Sequence, residues 1–278
     1  MSEKSSTNTK TLLLVGAALL VGFVAGFALA NGINKGEGER LRGELVRLRA
    51  GGAGGAQQKE SGAADARAQG ASARGAEGGG DGSFPTLTDE QLKNAVAKAD
   101  ASPSDAELQK KVGQALYVYA WQTSNASILG DVARILKRAH DLDPKDYKTM
   151  VMAGDAFFLI ARKDDDAASL ADARKFYESA LASKPDDAVV RTSLGLTYFY
   201  GNPPDPQRAI REYRQALKSD PAQEMTLQSL ASALIASGEL TEAEARLGEL
   251  EKRNPSNAEL PSLRAQLEQK KNAAKDAR

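Results

Sequence analysis

Five proline-led tripeptides punctuate the chain at nearly regular intervals. Pro103-Ser104-Asp105, Pro144-Lys145-Asp146, Pro185-Asp186-Asp187 and Pro255-Ser256-Asn257 share one form, and Pro221-Ala222-Gln223 keeps the proline. Successive prolines stand 41, 41, 36 and 34 residues apart. Proline breaks a helix interior, and Asp or Asn shortly after it is suited to cap the next helix. A period in this range marks an array in which each repeat is one supersecondary unit that buries its apolar face only against its neighbours. Between the prolines apolar residues recur at helical spacing, with no alternating strand pattern. The chain is therefore expected to be all-α.

Aligned on the prolines, the segments agree in detail. A small residue and a bulky one recur upstream: Val112-Gly113 with Leu116, Ala153-Gly154 with Phe157, Leu194-Gly195 with Tyr198, and Leu230-Ala231 with Leu234. The second helix of each segment supplies Val132, Leu136 and Ala139, then Ala173, Tyr177 and Ala180. It continues with Ala209, Tyr213 and Ala216, then Ala243, Leu247 and Leu250. This grammar resembles the tetratricopeptide repeat over Asp105–Pro255. The resemblance implies a right-handed superhelical array of about four helix pairs. The family's early tryptophan of helix A is missing, with Gln109, Met150, Arg191 and Leu227 in its place. The first two units carry seven extra residues and the third carries two, which are expected to lengthen the turns between paired helices, around Trp121–Ser127 and Lys163–Leu170.

Flanking segments complete the expected organisation. Residues 83–104 form a leading helix, opened by the capping-box signal Thr88-Asp89-Glu90-Gln91. Residues 256–278 supply a polar cap helix, such as open repeat stacks need. Residues 50–82 contain 21 Gly or Ala among 33 and no large apolar side chain, the composition of a flexible tether. Residues 1–10 are a short tail, and 31–49 a juxtamembrane helix in which Leu41, Leu45 and Leu48 make one coiled-coil-like step. Between them Thr11–Ala30 runs for twenty residues without a charge, long enough to cross a bilayer. It is expected to be an N-terminal transmembrane anchor, with cleavage after the Ala28-Leu29-Ala30 motif as the alternative. Ala18, Gly22, Gly26 and Ala30 share one face at small-xxx-small spacing, which suits association of two such spans and hence a homodimer.

Chemistry is scarce. With 37 basic and 37 acidic residues there is no bulk charge to draw nucleic acid. With no cysteine there are no disulfides, thiolate metal sites or cysteine nucleophiles. His140 is the lone histidine and lacks a partner for metal or acid–base work; Asp164-Asp165-Asp166 does not alternate as a calcium loop does and reads as a solvated turn ending in an N-cap. No enzyme, cofactor or metal is expected.

What remains is surface. In arrays of the resembled family helix A lines a concave groove, which implies a bound protein or peptide. Four residues past each small residue stand Tyr117, Phe158, Phe199 and Ile235, in register across the units. Lys110, Gln114, Val151, Asp155, Leu196, Gln228 and Ser232 are their expected neighbours. Either these side chains form an apolar, partly aromatic groove, or they pack between adjacent helices A. In the run Tyr198-Phe199-Tyr200 the first residue belongs to the repeat, the second is the candidate contact, and the third is open. Anchor, linker and short array together resemble the repeat subunits of bacterial cytochrome c maturation systems, which implies a single-pass inner-membrane protein with its array in the periplasm. A cell-envelope assembly factor acting through dimerisation of the anchor is the alternative.

Overall fold

The computed structural model describes residues 87–276; the expected tail, anchor, juxtamembrane helix and linker, with Ala18, Gly22, Gly26 and Ala30, lie outside the described residues. Among the described residues no helix is long and apolar enough to cross a membrane. They form ten α-helices and one short 3-10 turn. The helices are α1 (Asp89–Ala101), α2 (Ala106–Gln122), α3 (Leu129–Leu142), α4 (Tyr147–Asp164) and α5 (Ala167–Ser183). They continue with α6 (Ala188–Phe199), α7 (Pro206–Ser219), α8 (Glu224–Ser237), α9 (Leu240–Arg253) and α10 (Leu260–Asp276). Helices α2, α4, α6 and α8 are the A members of four successive pairs, and α3, α5, α7 and α9 the B members.

The proline tripeptides build one turn five times over. The C-cap residues Asp143, Lys184, Asp220 and Asn254 share φ between −135° and −137° with ψ near 84° to 92°, and Ser102 is close to them at φ −133° and ψ 63°. Proline follows each and stops the helix; two residues on, Asp105, Asp146 and Asp187 accept from the N–H groups of Leu108, Thr149 and Val190. Each such cap is worth about 1 kcal/mol. Because α1 ends in this turn and α10 begins after it, the leading helix stands as a B member without its A, and the cap helix as an A without its B. Thr88 and Gln91 close the expected capping box at the start of α1.

The extra residues of the second unit do not lengthen its turn. Helix α4 has 18 residues and α5 has 17, where α8 and α9 have 14 each, and only Asp165 and Asp166 separate α4 from α5, as Gly238 and Glu239 separate α8 from α9. All seven additions are therefore helical. Four residues add about one turn to α4 and three add nearly one to α5, so the apolar stripes stay in phase. In the first unit the additions divide between a longer α2 and a turn that contains the 3-10 segment Ala126–Ile128. In the third unit α6 is cut to 12 residues and the join to α7 grows, with a cis peptide between Asn202 and Pro203 and Pro206 opening α7.

The two-residue join after α4 demands a left-handed residue. Asp165 takes φ 53° where Gly238 takes φ 83° at the equivalent place after α8. An L-residue there is strained and glycine is not. Asp165→Gly is expected to stabilise the array by about 0.5–1 kcal/mol, read as a raised midpoint in urea with unchanged slope.

A helices touch their own B partner, the preceding B helix and the A helices of adjacent units, whereas B helices are held chiefly by A helices. The line of A helices is consequently the crowded inner side of the stack. Helix α4 shows this best: Met152, Ala153 and Ala156 enter one apolar cluster while Met150, Val151 and Phe158 enter the next, and Phe157 packs against both.

Candidate functional site: the inner face of the A helices

The crossing of each A helix with its B partner sets where the inner face lies. Gly154 and Gly195 rest against the rings of Tyr177 and Tyr213; a Cβ at Gly154 would meet a ring carbon at 2.7 Å, and one at Gly195 would come closer still. Both rings are fully buried, hydroxyls included. In the second unit Tyr177 Oη donates to Asp155 Oδ1 at 2.7 Å, and Tyr117 Oη donates to Asp155 Oδ2 at 2.8 Å. One carboxylate thus joins the A helix of the first unit to both helices of the second. Burial pushes the Asp155 carboxyl up to about 7, against the opposing pull of the two phenol donors.

One unit further along the same positions are apolar. Leu196 stands where Asp155 stood and Phe158 where Tyr117 stood, and the Tyr213 hydroxyl, buried, has no hydrogen-bond partner. At the joint between the third and fourth units, Thr192 on α6 meets Thr226 on α8 through their hydroxyls at 2.6 Å. The joints between units are therefore built differently from one end to the other.

Of the four in-register side chains, Tyr117, Phe158 and Ile235 are only 2–4% exposed. They are taken up between successive A helices, as are Val151, Asp155 and Leu196, while Gln114, Gln228 and Ser232 are likewise buried. Gln114 donates to Thr149 Oγ1 at 3.2 Å, and Asn257 at the start of the cap helix donates to Gln228 at 3.4 Å. Lys110 is half-buried and pairs with Glu107 at 2.8 Å, which raises its ammonium pKa. Phe199 is half-buried at the end of α6. Among the eleven expected contacts, Phe199 and Lys110 are the two that keep substantial accessible surface.

Two residues outside that set stand beside Phe199. Tyr200 packs edge-on against the Phe199 ring with centroids 5.1 Å apart and lies 6.3 Å from Phe158. The guanidinium carbon of Arg162 lies over the Tyr200 ring, 3.9 Å from its centroid. Arg162 lies four residues past Phe158 and is reached only because α4 carries its extra turn. That i to i+4 step from an in-register position is the sequence signal that could have found Arg162. Tyr200, open in the sequence, is placed by the early end of α6, where it forms the C-cap.

Elsewhere the polar residues serve the fold. His140, at the end of α3, meets the Phe176 ring edge-on at 5.1 Å. Asp166 ends the acidic run as the expected N-cap of α5, accepting from Ala168 N at 2.9 Å and Ser169 Oγ at 2.6 Å. Among the described residues no three His, Cys, Asp or Glu side chains gather as a metal site would require.

Comparison with known proteins bears on the array alone. Residues 205–267 match the profile of the family described as tetratricopeptide repeat. No curated protein matches the chain. Among solved structures, a MamA fragment beginning at its residue 41, from Desulfovibrio magneticus RS-1, is similar at 18% identity, with 61% of this chain and 86% of that one covered at a TM-score of 0.48. TTC0263, titled a thermophilic TPR protein in Thermus thermophilus, is similar at 17% identity over 66% of this chain and 89% of its own, with a TM-score of 0.46. YrrB, titled a TPR protein with an unusual peptide-binding site, gives 16%, 61%, 79% and 0.45 in the same order.

Proposed function

We propose that this chain, which carries tetratricopeptide repeats, is a scaffold that takes a protein or peptide partner on the inner side of its A helices, at the rim where α4 and α6 end. The observation that carries this reading is the half-buried aromatic Phe199 beside the Arg162–Tyr200 contact, the part of the expected groove that is not closed by packing between units. Apolar and aromatic surface flanked by a cation is what a peptide segment needs for both affinity and orientation. The charge-free run Thr11–Ala30 supports a membrane tether for that scaffold, with the array on the outer side of a bacterial inner membrane and residues 50–82 as its leash. Presentation of a polypeptide to membrane-bound machinery, as in cytochrome c maturation, is one role such an arrangement suits; assembly through paired anchors is the other.

The test is site-specific photo-crosslinking in membranes that contain the full chain. A crosslinker in place of Phe199 is expected to trap a discrete polypeptide adduct, and one at the exposed Arg211 on α7 is expected to trap none.

A further inference from the structure

Seven arginines of the described residues are half-buried: Arg134, Arg138, Arg162, Arg174, Arg191, Arg246 and Arg264. Six of them give their N–H groups to acceptors. Arg134 and Arg138 reach Asp100, Arg174 reaches the Thr197 carbonyl, Arg191 reaches Glu212, Arg246 reaches Glu249 and Arg264 reaches Glu251. Arg162 alone has none among the described residues, and its Nε is buried without an acceptor. Its one described interaction is the contact over the Tyr200 ring, which uses none of its N–H groups in a hydrogen bond. The Tyr200 hydroxyl is also buried and has no partner.

Buried donors in folded proteins nearly always have a partner. Arg191 and Arg246 also leave a buried Nε without an acceptor, but Arg162 is the one of the seven that makes no hydrogen bond through its terminal nitrogens either. The pairing required is a planar acceptor approaching in the guanidinium plane, which is the geometry of a carboxylate. Phe199, edge-on to the same tyrosine, offers apolar surface beside it. Glu259, in the turn that leads into α10, acts electrostatically on Tyr200 and has its own carboxyl raised by burial.

We propose that the Arg162–Tyr200–Phe199 cluster is a recognition subsite for an internal acidic side chain, Asp or Glu, of a bound peptide, with an apolar neighbour of that residue resting on Phe199. This rests on the reading of the inner rim as the partner site and names the chemistry of the partner.

The probes are three fluorescein-labelled heptapeptides, blocked at both ends so that no terminal carboxylate contributes: one alternating leucine and glutamate, one with glutamine for glutamate, one with lysine. Anisotropy is measured with the full-length chain in detergent. The glutamate peptide is expected to bind at least tenfold more tightly than the glutamine peptide, with the lysine peptide weakest. Arg162→Met keeps the stem over the tyrosine and is expected to erase that preference. Phe199→Ala is expected to weaken the glutamate and glutamine peptides alike, and Glu259→Gln to tighten the glutamate peptide. Circular dichroism melting of each variant establishes that it folds; for an unfolded Arg162→Met, Arg162→Lys, which loses the planar fork, replaces it with the same expectation. Equal binding of the glutamate and glutamine peptides, sensitive to Phe199→Ala, would overturn the acidic subsite and leave the scaffold reading standing. Binding of none of them would overturn the subsite, and absence of crosslinks at residue 199 as well would overturn both.

Discussion

Replacing Gly195 by alanine is expected to destabilise the array by about 2–3 kcal/mol, the upper range for overpacking a filled site. The added methyl would meet Tyr213 Cδ1 at 2.8 Å and Cε1 more closely still. The tyrosine is fully buried and its ring is rigid, so it cannot yield as the end of a flexible side chain would. Gly113→Ala is expected to cost less, because the atom it meets at 2.7 Å is the terminal Cδ2 of Leu136. The fourth unit supplies the control: Ala231 and Leu247 occupy the positions held by Gly195 and Tyr213, and both are buried there without a ring at the crossing. Tyr213→Leu in the Gly195→Ala background should therefore recover much of the loss, whereas independent sites would add. A Cβ at Gly248 would meet nothing within 4 Å, and alanine there is expected to stabilise by about 0.5–1 kcal/mol. Chemical denaturation of the single and double variants checks the set.

The second large effect is a dependence on pH with an unusual sign. The Asp155 carboxyl titrates at about 7 in the folded chain and near 3.8 when exposed. Between those values the folded state holds a proton that the unfolded state has released. This group's contribution is thus most favourable below about pH 4 and is lost as pH rises to 7, at about 1.4 kcal/mol per pH unit. A loss on the order of 2–4 kcal/mol at pH 8 relative to pH 4 is expected from Asp155. The lowered carboxyls of Asp100, Glu107, Asp166, Glu239 and Glu244 work in the opposite direction. The measurement is therefore the difference between the wild-type chain and Asp155→Asn, which should be steep between pH 4 and 7 and flat above. Tyr177→Phe removes one donor from a buried carboxylate and is expected to cost about 2 kcal/mol at pH 8 and less at pH 5. Tyr213→Phe removes a hydroxyl that bonds to nothing and should cost next to nothing. Equal costs for the two tyrosines, or a flat difference curve, would show that Asp155 is not the buried pivot described.

Much of this was legible in the sequence because each signal had a local physical cause. Proline ends a helix wherever it falls, and the aspartates of Pro144-Lys145-Asp146 and Pro185-Asp186-Asp187 cap the next one. The glycine–tyrosine pairs 154/177 and 195/213 follow from the close crossing of paired helices. Where the seven added residues go was not legible, since seven residues are nearly two helical turns and a loop or two helices accept them equally. The fate of Tyr117, Phe158 and Ile235 was not legible either. A residue on that stripe faces both the next A helix and the inner space, and the closeness of neighbouring units decides which. Phe199 differs because α6 ends at that residue, so no further turn covers it. Arg162 and Tyr200 escape a reading of the sequence for a related reason: they meet only when a lengthened α4 and a shortened α6 are laid side by side.

The most direct test of the account is a crosslinking pair at the inner rim. With the photo-crosslinker at residue 199 of the full chain in its own cells, one discrete polypeptide adduct is expected. That adduct should be lost on Arg162→Met, and no adduct should form from residue 211. Adducts from residue 211 alone, or an adduct at 199 indifferent to Arg162, would contradict it.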